Sequence, residues 1–292
     1  MGKLYLAIAF ILAGSSVVSA SFVSEQLPVF TTTALSLMFA AATAVLLCGK
    51  KMYTTAKLLT GRIWRAIALQ ALFGCFLFRV FLTSGLQYIG AAEAGIITGV
   101  TPAITALFAW IMLREMLNVQ IILGIAIAVA GILMVQGYPF AVVGTLQPLG
   151  VIFVLCAAAC EAFFTTLSRK VSLNEVGLPP LVHAGFVSLF ALVLCAIPAG
   201  FEQSWQSVVG LSIGGWLALL WYGSIVTVIA FAFMFAGAKQ CSGYTIAAYA
   251  GIIPASSTLL SVILLKETVS VYQVVGCGLV VLATLIISKQ KK

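Results

Sequence analysis

The chain has 292 residues, of which 63% are hydrophobic and only 8% charged, against about 25% charged in soluble domains. With a mean hydropathy of +1.20 and no aspartate anywhere, the composition describes a membrane protein and excludes soluble enzymes, nucleic-acid binders and disordered chains. The net charge of +8 then concerns orientation in the bilayer, not a nucleic-acid partner.

A helix crosses about 30 Å of hydrocarbon in about 20 residues, and ten such apolar stretches follow one another, with loops too short for a soluble domain. They are continuous runs, not the alternating segments of a β-barrel, so helices are the way to satisfy the backbone. The expected class is therefore an all-α polytopic membrane protein.

The first span, Leu4–Phe22, imitates a secretory signal, with Lys3 before the apolar run and Val18-Ser19-Ala20 as a cleavage pattern. Removing it would leave nine spans and spoil the repeat described below, so it is read as retained. Met1-Gly2 offers no myristoylation pattern either, because Leu6 stands where Ser or Thr is needed. The second span is Phe30–Cys48. The third, Ala66–Gln87, carries Arg79, and the fourth, Ala91–Leu113, carries Glu93 near its outer end. A charge inside hydrocarbon costs at least about 2.5 kcal/mol, so each must face protein or water. Arg79 and Glu93 flank the short turn around Tyr88 to Gly90. They either form a structural ion pair clamping spans three and four, or Arg79 offers its forked donors to a substrate carboxylate or phosphate.

The fifth span is Val119–Val135. The sixth, Pro148–Ser168, places Glu161, Thr165 and Ser168 on one helical face. With no cation close in sequence, Glu161 is the candidate to bind a proton or a substrate ammonium, the alternative being an interhelical hydrogen bond. The seventh, Leu181–Ala199, has the sole histidine, His183, just after Pro179-Pro180; it reads as a helix-entry residue ahead of a proton relay. The eighth, Gly214–Gly237, holds Trp221 and Tyr222, rings that either pack or stack on a flat or cationic substrate. The ninth, Gly243–Leu265, puts Thr245, Tyr249 and Ser256 on one face, and the tenth is Val271–Ser288. The seven cysteines lack CxxC spacing and read as small packing residues. Tyr138, Trp205 and Tyr272 near span ends are plausible interfacial anchors.

Orientation follows from charge. A cytoplasmic N-terminus collects Lys3, Lys50, Lys51, Lys57, Arg62, Arg65, Arg114, Arg169, Lys170, Lys239, Lys289, Lys291 and Lys292 on the inside, thirteen of the fifteen cations. Only Lys266, beside Glu267, falls outside, while Arg79 lies within a span. The positive-inside rule then puts both termini in the cytoplasm of a cell that keeps the protein in its inner membrane.

Shifting the sequence by 152 positions and comparing Trp64–Leu133 with Trp216–Leu285 gives identities at fifteen of seventy places. They include Trp64/Trp216, Phe81/Phe233, Gly85/Gly237, Gly99/Gly251, Pro102/Pro254, Leu113/Leu265, Glu115/Glu267 and Gly124/Gly276. A biased apolar alphabet accounts for the Ala, Leu and Val pairs, but poorly for a shared Pro, then Glu, then Gly in fixed register. The chain divides into residues 1–140 and 141–292, each with five spans. Because five is odd, the second copy enters the membrane inverted, a signature of alternating-access carriers. The same shift sets Thr245 opposite Glu93.

Thr101-Pro102-Ala103 followed by Leu113-Arg114-Glu115, its echo Ile253-Pro254-Ala255 with Leu265-Lys266-Glu267, and the subsequent Gly124 and Gly276 resemble the EamA family of the drug/metabolite transporter superfamily. The resemblance covers essentially the whole chain and implies a ten-helix inverted-repeat carrier. Its cavity would be lined by spans one, three, four, six, eight and nine, with five and ten peripheral. It suggests export of small metabolites such as amino acids. Pro102 and Pro254 each remove a helical donor in mid-membrane, so spans four and nine should bend there, as gates or static kinks, with Gly99 and Gly251 allowing close approach. Glu115 and Glu267 read as helix-end groups.

Catalysis finds no constellation. A prenyl transferase would want aspartates for magnesium pyrophosphate, and the Ser242-Gly243 pair, preceded by Gln240-Cys241, fails the membrane serine-protease pattern. A channel would show rings of like charge, and a structural or signalling partner would not need three buried charges. The expectation is a transporter needing no cofactor or metal, whose partners are a small-molecule substrate, the bilayer and, in a variant reading as an exchanger of organic cations or drugs, protons carried on Glu161.

Overall fold

Apolar runs of this length become helices because only intrasegment hydrogen bonds satisfy a backbone in lipid. The computed structural model describes residues 1–23, 26–89, 94, 97–116, 118–135, 147–174, 177–202, 205–265 and 270–288, and its regular structure there is helical throughout. The helices are α1 (Gly2–Ser21), α2 (Val29–Ala56), α3 (Gly61–Gly85), α4 (Thr101–Leu113), α5 (Val119–Val135), α6 (Pro148–Asn174), α7 (Pro180–Phe201), the one-turn α8 (Trp205–Val209), α9 (Ile213–Ala238), α10 (Gly243–Ala250), α11 (Ile252–Leu265) and α12 (Val271–Ser288). Among them α2, α3, α6, α7 and α9 are long and apolar enough to cross a membrane, while α4, α5, α12 and most of α1 are shorter apolar helices.

Two helices outrun their expected spans. α2 passes the expected end at Cys48, where φ −143° and ψ 20° mark a kink, and continues to Ala56; α6 runs to Asn174. The extensions carry Lys50, Lys51, Arg169 and Lys170.

The proline positions call for a correction. Instead of bending continuous helices, Pro102 is the second residue of α4 and Pro254 the third of α11. The chain turns at Gly99-Val100 and at Gly251 and starts a new helix. Proline fits a first turn because its missing N–H has no intrahelical acceptor there. The Thr98 carbonyl, deprived of a Pro102 donor, accepts the Thr101 hydroxyl at 2.6 Å.

Both α3 and α9 widen into π-helix, at Leu72–Leu77 and Tyr222–Ile229. Helix bounds recur at the spacing of the sequence repeat: Gly61 and Ile213 open α3 and α9, Leu113 and Leu265 close α4 and α11, and Val119 and Val271 open α5 and α12. α5 packs along α12, α2 along α7, α1 against α9 and α11, and α6 against α3 and α4. Leu6, Ile67, Val182, Phe235 and Ile246 are completely buried in the main core. His183, expected as a helix-entry residue, lies in that core; its Nε2 is 2.7 Å from Gln70 Oε1 and its ring stacks on Phe235 at 3.9 Å.

Two carboxylates fasten helix starts. Glu202, at the end of α7, accepts the Phe30 and Thr31 N–H groups of α2 at 3.0 and 2.7 Å, which suits the positive end of a helix dipole. Glu115 does the same for α10, accepting the Gly243 N–H at 3.0 and 2.7 Å. A left-handed Arg114 (φ 54°) turns the chain so that Glu115 reaches across. Its ionic partner is Arg169 of α6 at 3.6 Å, not the adjacent Arg114. Burial pushes the Glu115 carboxyl up, while the Gly243 N–H and Arg169 pull it back down. The helix-end reading of Glu115 describes its geometry, but its contacts are interhelical. Glu267, Glu93, Lys266 and Tyr138 lie outside the described residues; Tyr272 is exposed.

Candidate functional site

The π-helical stretches matter because a π turn rotates the side chains that follow it, and such bulges gather at functional sites. In α3 and α9 they hold Gly74, Cys75, Tyr222, Val226 and Thr227 on the wall of a central cavity of about 320 Å³, and Phe78, Arg79, Ala230 and Phe231 join them. α1 contributes Ala9, Phe10, Ala13 and Ser16, α6 contributes Glu161, Phe164 and Thr165, and α11 contributes Ile253. That volume suits a small metabolite.

Arg79 donates from Nη2 to the Tyr222 hydroxyl at 2.8 Å, and its guanidinium stands 5.9 Å from the centre of that ring. The expected partner Glu93 lies outside the described residues; among those described Arg79 has no ion pair. Among the described residues the Tyr222 hydroxyl is the one hydrogen-bond partner of this guanidinium, which has five N–H donors in all. Glu161, on the wall of the same cavity, makes no hydrogen bond or ion pair among the described residues. One turn later Thr165 lines the same wall. Among the described residues the cavity is thus lined by one cation and one carboxylate together with the rings of Phe78, Phe164, Tyr222 and Phe231.

Four expected residues stand elsewhere. Trp221 is 45% exposed and donates its indole N–H to Ser15 Oγ at 2.9 Å, tying α9 to α1. Thr245 is buried in the first turn of α10, with its hydroxyl 2.7 Å from that of Ser242. Tyr249 packs against the main core. Ser256 seats α11 against α1: its hydroxyl approaches the Phe10 carbonyl at 3.4 Å and the Ile253 carbonyl at 3.0 Å. A Cβ on Gly14 would come within 1.9 Å of Ser256 Oγ, so only glycine permits this approach. One helical face had suggested one wall, but the break at Gly251 gives Thr245 and Ser256 to different helices.

Gly99, Pro102 and Pro254 border a second cavity of about 390 Å³, together with Thr98, Thr101, Ala250, Ser257 and Thr258; Gly251 packs against Val280 beside it. Ile132 of α5 and Gln273 of α12 also line it, so the last helix of each half is not peripheral here. Glu161 and Ile253 border both cavities.

Sequence reasoning missed α2. Thr33, Ser36 and Leu37 face the central cavity, and the polar signal was present in Thr31, Thr32, Thr33 and Ser36 within an apolar run. It was easy to overlook because such hydroxyls satisfy themselves: Thr33 donates to Val29 O at 2.6 Å and Ser36 to Thr33 O at 2.8 Å.

A family model described as the EamA-like transporter family matches residues 1–136 and again 148–289. The chain belongs to the EamA-like transporter family. It is a membrane transporter with several apolar helices, in agreement with the resemblance read from its Pro and Glu motifs. The uncharacterized transporter YetK of Bacillus subtilis (strain 168) is 28% identical over 286 residues, covering 94% of this chain and 83% of the relative. An uncharacterized transporter of Archaeoglobus fulgidus is 27% identical over 233 residues, covering 75% of this chain and 76% of that one. A solved crystal structure matches with a TM-score of 0.77 at 21% identity, over 98% of this chain and 95% of its own; that likeness concerns the fold.

The cavity lining follows the 152-residue spacing. Gly74 and Val226, Cys75 and Thr227, Phe78 and Ala230, Arg79 and Phe231, Ala9 and Glu161, and Ala13 and Thr165 are pairs at that spacing, and every member lines the central cavity.

Proposed function

We propose that this EamA-family protein is a secondary transporter that carries a small bipolar metabolite, an amino acid or a close relative, outward across the inner membrane. The observation carrying this reading is that Arg79 and Glu161 line one cavity together with aromatic rings. A zwitterion brings its carboxylate to the guanidinium and its ammonium to the carboxylate, so that each buried charge meets its complement.

The mechanism we infer is alternating access between two inverted five-span halves, residues 1–140 and 141–292. Recurrent helix bounds, paired π segments and paired cavity positions support it, as does the physical rule that an odd number of spans inverts the second copy. Ten spans result if α4 with the residues before it forms one crossing and α10 with α11 another. The breaks at Gly99-Val100 and Gly251 then act as joints. Both termini face the cytoplasm in this account, and a reporter fused after Lys292 that became active outside the inner membrane would refute that orientation.

A second reading is favoured by Glu161 alone. A carboxylate without a partner among the described residues, near Phe164 and Tyr222, also suits exchange of an organic cation for protons. A screen of labelled amino acids and organic cations in proteoliposomes, with and without a pH gradient, separates the two. Flux of amino acids but not of simple amines supports the zwitterion reading; flux of amines alone overturns it.

A further inference from the structure

Glu161 borders two cavities, and among the described residues only the first is lined by a cation. Among the described residues, the titratable groups lining the central cavity are Cys75, Arg79, Tyr222 and Glu161, and in the second cavity Glu161 is the sole titratable lining residue. The rest of that second wall is rich in oxygen. Thr101 donates its hydroxyl proton to the Thr98 carbonyl at 2.6 Å, and Ser257 and Thr258 donate theirs to the Pro254 carbonyl at 2.9 Å. A hydroxyl whose proton is committed in this way has only lone pairs left to offer. Pro254, lacking an N–H, returns no helical bond to the carbonyl of Ala250 four residues earlier, and Ala250 lies on the same wall at the C-terminal, negative end of α10. Gln273 adds an amide whose oxygen already accepts the Ser270 N–H at 2.9 Å.

A wall of hydroxyl and carbonyl oxygens with a single carboxylate is the donor set of a hard cation. One negative charge in a low-dielectric setting is balanced by one positive charge, which selects a monovalent ion. Broken helices that expose carbonyls at mid-membrane supply such sites in other carriers. We propose that the second cavity seats a small monovalent cation, a hydrated proton or Na⁺, held against Glu161 by oxygens at the two helix breaks. The shared carboxylate then links the occupants: when a substrate ammonium takes Glu161 from the first cavity, the cation in the second loses its counter-charge, and the reverse. Coupling of this kind rests on the transport reading, whereas cation binding does not.

The test uses dicyclohexylcarbodiimide, which adds to a carboxyl only in its protonated form, on the purified full chain, with labelling of Glu161 read by peptide mass spectrometry. If sodium is the occupant, replacing choline by Na⁺ at fixed pH suppresses labelling. If it is the proton, labelling falls as pH rises and ignores Na⁺. In either case Ser257→Ala and Thr258→Val, which remove one lining oxygen each, shift the midpoint by about threefold in ion concentration, and Thr33→Val in the first cavity leaves it in place. Unchanged midpoints in both second-cavity variants, or an equal shift in Thr33→Val, overturn the proposal. Flux of a labelled amino acid by the parent protein persists in that event if the transport reading is sound, so the two failures are told apart.

Discussion

α3 and α9 are built alike and do different chemistry. Each opens at the same repeat position, widens into a π segment that ends at the same position, and presents the following turn to the central cavity. Yet where α3 has Arg79 the corresponding residue of α9 is Phe231, and where α6 has Glu161 the corresponding residue of α1 is Ala9. Each half therefore gives one charge, from a different helix, against an apolar counterpart from the other half. If these residues bind a bipolar substrate as proposed, the unequal placing of the two charges holds it in only one sense.

The sharpest way to break this contrast is at Arg79. Arg79→Lys keeps the charge but loses the forked geometry, and transport should fall by roughly tenfold or more, a loss on the scale of one charged hydrogen bond. Exchanging the pair, Arg79→Phe with Phe231→Arg, keeps composition and volume but moves the guanidinium to the other half; it should be as inactive as Arg79→Phe alone. Recovery of flux in the exchanged protein would mean that the halves are interchangeable and the asymmetry incidental.

Glu161→Gln probes the other pole. It keeps size and hydrogen bonding but cannot titrate, so substrate binding should stay measurable while any acceleration by a pH gradient disappears. A parent protein indifferent to the gradient is a facilitator, and coupling that survives in Glu161→Gln places the proton elsewhere.

Packing differs between the halves as well. Gly223 of α9 lies against α2 so closely that a Cβ would fall 2.0 Å from the Ser36 carbonyl, whereas its counterpart in α3 is Ala71, which accommodates its methyl fully buried. Gly223→Ala should cost about 1–3 kcal/mol through overpacking, visible as a lower unfolding midpoint in detergent, and Ala71→Gly considerably less. The smallest expected effect is at Thr165, whose counterpart is Ala13: Thr165→Val should change apparent affinity by no more than a few fold, since a single neutral hydrogen bond is worth about 1 kcal/mol.

Much of this architecture was legible in the sequence because its causes are local and additive. Apolar run length gives the helices, and a shared Pro, Glu and Gly in fixed register give the repeat. Arg79 and Glu161 stood out because an intramembrane charge needs a reason, and both line the cavity. Other features depend on what the chain packs against. Nothing in hydropathy distinguishes a π turn from an α turn, so the segments that present Cys75 and Thr227 were invisible. The paired prolines suggested bends in continuous helices, but the helices are interrupted at Gly99-Val100 and at Gly251, two or three residues ahead of each proline. Trp221 and Ser256 were chosen by residue type and periodicity; their partners Ser15 and Gly14 lie more than 200 positions away in sequence. The second cavity was likewise hidden, since its hydroxyls look self-satisfied until the helix breaks bring them beside Glu161.

The central claim is that Arg79 and Glu161 together read the two ends of one substrate. The most direct measurement is competition against efflux of a labelled amino acid from proteoliposomes, using three unlabelled compounds of one skeleton: the amino acid, its decarboxylated amine and its deaminated acid. The account predicts that the intact zwitterion competes well, that each half-molecule is weaker by about tenfold or more, and that Arg79→Gln selectively erases the advantage of the amino acid over the amine. Equal competition by all three, or an unchanged ranking in Arg79→Gln, would contradict it.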